Sequence, residues 1–112
     1  MIEEECVIEA VARNIEALEF SIERFRFGQL TGDRLIALTR FNVWAILETT
    51  EETFDLKQAG NELIAAVDVM VDIMRPAFPA ATQDVRIATA TDALATFLRF
   101  ARNAKVRPGL GL

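Results

Sequence analysis

The 112-residue chain contains no histidine and no tyrosine. Histidine is the side chain whose ordinary pKa lies near neutral pH and the commonest transition-metal ligand, so the usual general base and metal donor are both missing. Ser-His-Asp and Cys-His catalysis are excluded. So are the di-iron centres of four-helix bundles, which take a Glu-x-x-His pair from each of two helices. A lone cysteine, Cys6, cannot form an internal disulfide or a multi-cysteine zinc site, and it reads as a small apolar residue on a helix. The five glycines, Gly28, Gly32, Gly60, Gly109 and Gly111, make no Gly-x-x-x-x-Gly-Lys loop. Nucleotide binding has no support, and no cofactor is expected.

Long apolar runs are also missing. The chain is 52% apolar, yet nothing in it approaches the ~18 uninterrupted apolar residues of a membrane span. No membrane partner is expected. Met1, Ile2, Glu3, Glu4 and Glu5 lack the basic and apolar regions of a secretory signal, so the expected location is cytoplasmic.

Charge is scarce only in the sense that its signs are segregated. The net charge of -5 divides into fifteen acids and six bases from Met1 to Asp72, and two acids and six bases from Ile73 to Leu112. This split predicts an acidic first helix packed beside a basic last helix, in one chain or between two.

The residues present follow helical spacing. Ile8, Val11, Ile15, Leu18, Ile22 and Phe25 alternate by threes and fours, predicting one helix over residues 3–27 with Glu3, Glu4 and Glu5 at its positive end and Arg24 and Arg26 at its negative end. Gly28 is suited to ending it and Thr31 to capping the next. From Leu35 to Leu47, ten of thirteen residues are apolar, more than one helical seam uses. Glu48 to Asp55 reads as a polar turn with Thr49 and Glu52 at capping-box spacing. Leu56, Ala59, Leu63, Val67, Met70 and Met74 then mark a further helix. Gly60 weakens that helix unless it permits a close helix contact. Pro76 and Pro79 bracket a break, and Thr82 is placed to cap a last helix over about residues 83–104, with Ile87, Ala90, Leu94, Phe97 and Ala101 on one stripe. The expected fold is all-α, a small four-helix bundle-like domain over residues 1–107 that dimerises, with 108–112 as a flexible tail.

Carboxylates are the one catalytic resource left. Glu48, Glu51, Glu52 and Asp55 form the densest group, and Asp68 and Asp72 sit one turn apart. Magnesium-dependent phosphate processing would need carboxylate pairs on separate facing helices, as in the all-helical nucleotide pyrophosphatases, whereas here Glu48/Glu51 and Glu52/Asp55 run back to back. They read as a solvated acidic turn. Arg99, Arg102, Lys105 and Arg107 make a small basic patch, and the first helix's glutamates could mimic nucleic acid. Against both stands an acidic chain whose terminal cations a helix dipole already favours.

Association without catalysis is the remaining outlet. Phe25, Phe41 and Phe97 read first as core, while Trp44, Phe20 and Phe27 suit core and interface alike. The expectation is a non-enzymatic interaction module, an adaptor, chaperone or inhibitor that pairs with itself and with a further protein. In the homodimer Phe41, Val43, Trp44 and Leu47 would supply the buried area.

Overall fold

The computed structural model describes the backbone of residues 2–51, 53–74 and 80–107, and the side chains of 9–51, 53–74 and 84–107. Among the described residues four long helices, α1 (Ile2–Glu19), α3 (Gly32–Thr49), α4 (Phe54–Ile73) and α5 (Ala80–Asn103), are accompanied by a short α2 (Ser21–Arg26). No strand occurs among them. No helix among them is long and apolar enough to cross a membrane. Each long helix packs on the next, α1 on α3, α3 on α4 and α4 on α5, and a thinner α1–α5 contact closes the ring.

The expected first helix is interrupted. Phe20 leaves helical geometry (φ -110°, ψ 9°), and the buried Ser21 hydroxyl donates to Leu18 O at 2.8 Å, taking up a carbonyl of the turn. Serine competing locally for backbone carbonyls is a physical cause of such a bend. The seam nevertheless continues through it: Val11, Leu18 and Ile22 are buried, and Ile15 and Phe25 pack against the core.

Gly28 ends α2 at φ 75°, with Gly28 N–H donating to Phe25 O at 3.1 Å and Gln29 N–H to Arg24 O at 2.8 Å. These two bonds make a Schellman stop, which requires a left-handed residue and so favours glycine. Thr31 caps α3 by accepting from Arg34 N–H at 3.2 Å.

The expected Thr49–Glu52 capping box does not form. Thr49 is the last residue of α3, its hydroxyl donates to Ala45 O at 2.8 Å, and Thr53 caps α4 by accepting from Leu56 N–H at 3.2 Å. Thr82 also lies inside a helix, because α5 starts two residues earlier at Ala80. The proline break at Pro76 and Pro79 and the tail from Pro108 lie outside the described residues.

The core joins the predicted stripes of α4 (Leu56, Ala59, Leu63, Val67, Met70) and α5 (Ala90, Leu94, Phe97, Ala101) to Leu35, Val43 and Ile46 of α3. Two glycines set the spacing of α3 and α4. A Cβ at Gly60 would lie 2.8 Å from Val43 Cγ1, and one at Gly32 would lie 2.6 Å from Val71 Cγ1. Gly60 is therefore the close-approach glycine, and its neighbours fill the space a side chain would take.

The segregated charges meet within one chain, where Arg102 of α5 reaches Glu19 of α1 at 2.9 Å. After α5 the chain is pinned to the α3–α4 connection through a bridge between Thr50 and Val106. Arg107 then donates to Leu47 O at 3.0 Å and Thr50 O at 3.4 Å, covering the carbonyls at the end of α3. The principal extents are 51 × 27 × 16 Å and the radius of gyration is 14.9 Å, against about 13 Å for a compact domain of this length. The accessible surface is 7104 Å², against about 6,200 Å² for a folded monomer of this mass.

Candidate interaction face

The helix with excess apolar character is arranged against simple expectation. Its inward face carries Leu35, Val43 and Ile46 together with two polar residues, Thr39 at 1% exposure and Asn42 at 7%. Asn42 satisfies its amide by donating to Leu38 O at 2.7 Å. The outward face runs Arg34, Ala37, Phe41, Trp44 and Glu48, all exposed, at the three- and four-residue steps that align one side of a helix. Phe41 is 64% exposed and Trp44 60%.

Close approach of α3 to α4 limits what the contact points can hold. Val43 is pressed onto Gly60 and Val71 onto Gly32, so no larger side chain fits at those points, while Leu35 and Ile46 fill the rest of the inner face.

Two of the expectations for these residues are therefore corrected. Phe41 is not core. Val43 is core at 1% exposure, consumed by its contact with Gly60, and offers no area to a second chain. Leu47 is partly buried against the core and contributes only an edge. Phe25 and Phe97 lie where core residues should, Phe97 fully buried and Phe25 partly. Phe20, at 51% exposure, sits at the α1–α2 bend and Phe27, at 76%, at the end of α2.

Phe54, 79% exposed, is an outward-facing aromatic that sequence reasoning did not single out. It opens α4 directly after the capping Thr53, off the Leu56 stripe, so assigning the cap correctly would have revealed it. Val69 and Val85 are also exposed, and Val69 lines an apolar groove of about 260 Å³ between α4 and α5 with Ala65, Ala66 and Thr89.

The acidic group is divided. Glu51 and Asp55 flank a groove of about 340 Å³ with Thr53, Asn103 and Lys105, while Glu48 lies on the outer stripe of α3. Among the described residues no three acidic, histidine or cysteine side chains come together as a metal cage, and Glu52 lies outside those residues. Asp68 accepts from Arg40 at 2.7 Å. In the basic patch, Arg102 is paired with Glu19 and Arg107 is spent on the carboxyl end of α3. No protein-family model, curated protein or solved structure matches the chain.

Proposed function

We propose that this chain is a non-catalytic association module that forms a homodimer through the outer face of α3 and presents further apolar surface to another protein. The observation that carries the proposal is the pair Phe41 and Trp44, two large aromatic rings one turn apart and each more than half exposed. Contiguous apolar surface of this kind marks interaction sites, and aromatic residues dominate the energetics of association.

The magnitude favours a reversible complex. An aromatic side chain buries roughly 150–250 Å², so covering the exposed parts of Phe41 and Trp44 in both copies removes roughly 500 Å² from water. That falls short of the ~1,200 Å² of a standard stable interface unless flanking residues contribute. Association at tens of micromolar is the corresponding expectation. Phe20, Phe27 and Phe54 supply the surface left for a second protein, as an adaptor, chaperone or inhibitor would use it.

Trp44 is the chain's single tryptophan and reports directly on the proposed face. Acrylamide quenching of its fluorescence should weaken as protein concentration rises through tens of micromolar. Quenching that stays constant up to hundreds of micromolar contradicts the proposal.

A further inference from the structure

The outer stripe of α3 carries more than aromatic rings. It begins at Arg34 and ends at Glu48, fourteen residues and about 21 Å apart along the axis. Each charge stands at the wrong end of its own helix. Arg34 lies in the first turn, where the helix dipole disfavours a cation, and Glu48 in the last, where it disfavours an anion. Among the described residues neither side chain takes part in an ion pair or side-chain hydrogen bond. No contact among the described residues accounts for this placement.

We infer that the occupant of this face is a second copy of α3 laid antiparallel about a two-fold axis at Phe41, with each Arg34 facing the second copy's Glu48. The inference rests on the self-association proposed above and adds its geometry. Phe41 is the midpoint of the stripe, seven residues from each charge, so antiparallel packing brings Phe41 onto itself and both Arg–Glu pairs into register. Such an interface is self-complementary, as a two-fold dimer requires. Size agrees with charge. Trp44 lies three residues after the midpoint and Ala37 four before it, so the largest side chain meets the smallest within about one residue's rise. Parallel packing would instead set Arg34 on Arg34, Glu48 on Glu48 and Trp44 on Trp44. It would also align the two helix dipoles unfavourably.

Charge reversal tests the geometry by sedimentation equilibrium. Arg34→Glu alone and Glu48→Arg alone should each weaken the dimer about tenfold, since each replaces two exposed attractive pairs by two repulsive ones. The two single variants mixed should form a heterodimer of near wild-type strength. There the glutamate introduced in one chain faces the arginine introduced in the other, and the remaining native Arg34 faces the remaining native Glu48. The double variant Arg34→Glu/Glu48→Arg should also dimerise. Both substitutions suit the dipole of α3 better than the native residues, so a loss of folding does not explain a loss of dimer, and circular dichroism melting provides the control. A wild-type dimer indifferent to single reversal, or weakened without recovery on mixing, overturns the antiparallel pairing and leaves self-association standing. A wild-type chain that stays monomeric at hundreds of micromolar overturns both.

Discussion

Replacing Gly60 by alanine should destabilise this protein, although the same change in most helix interiors stabilises. Glycine inside a helix costs roughly 1 kcal/mol relative to alanine, so propensity alone predicts a gain of that size. The structure opposes it. The added Cβ would stand 2.8 Å from Val43 Cγ1 and 3.2 Å from Phe97 Cε1. Neither neighbour has room to withdraw, since Val43 is 1% exposed and Phe97 fully buried. Valine in a helix is also held in one dominant rotamer. Overpacking of a well-filled core costs about 1–3 kcal/mol, which exceeds the propensity gain and leaves a net loss of about 1 kcal/mol. For a domain of this size that lowers the melting temperature by about 5 °C. The assay is thermal unfolding followed by circular dichroism at one fixed concentration, because self-association would make the midpoint concentration-dependent. A double-mutant cycle isolates the cause: in a Val43→Ala background the closest clash is gone and only the 3.2 Å approach to Phe97 remains, so Gly60→Ala should cost clearly less than in the native background. A Gly60→Ala variant that melts higher than wild type in the native background would refute the close approach of α3 and α4.

Other substitutions separate the fold from the face. Gly28→Ala places a side chain at φ 75° in open space, so it should cost about 1 kcal/mol through backbone strain alone, seen as a lower urea midpoint with unchanged slope. Thr39→Val exchanges a buried hydroxyl with no hydrogen-bond partner among the described residues for a methyl, and should raise stability by about 1 kcal/mol in the same assay. The Arg102–Glu19 pair has half-exposed side chains, so Arg102→Ala should shift stability by less than about 1 kcal/mol, the shift shrinking in high salt. Phe41→Ala and Trp44→Ala should leave the monomer's melting curve nearly intact while reducing association. Val43→Ala should cost about 2 kcal/mol of stability by opening a cavity.

The helices were legible in the sequence where one face was apolar over several turns. The Leu56 to Met70 stripe and the Ala90 to Ala101 stripe are buried as their spacing requires. Caps were legible where one threonine stood alone before an apolar stripe, as Thr31 does. They were not where Thr49, Thr50 and Thr53 compete, because the winner depends on how far α3 extends before Arg107 closes its end. The bend at Phe20 was hidden because the apolar seam runs through it unchanged.

The outer face of α3 was legible only as an excess. Counting apolar residues from Leu35 to Leu47 shows that the helix has too many for one seam, but not which of them turn outward. Periodicity alone would send the largest side chains inward. The helical phase that buries Leu35, Val43 and Ile46 turns Phe41 and Trp44 outward, and that phase, with Val43 against Gly60 and Gly32 against Val71, is a property of the packed helices. Arg34 and Glu48 were unremarkable as single charges. Their meaning depends on the stripe between them and on the ends of the helix they occupy.

Self-association through this face is the central claim, and the molar mass of the wild-type chain in solution tests it most directly. Light scattering coupled to size-exclusion chromatography, loaded at increasing concentration, should show a mass rising from 12.5 kDa toward twice that value through tens of micromolar. A mass fixed at that of one chain across the whole range would contradict it.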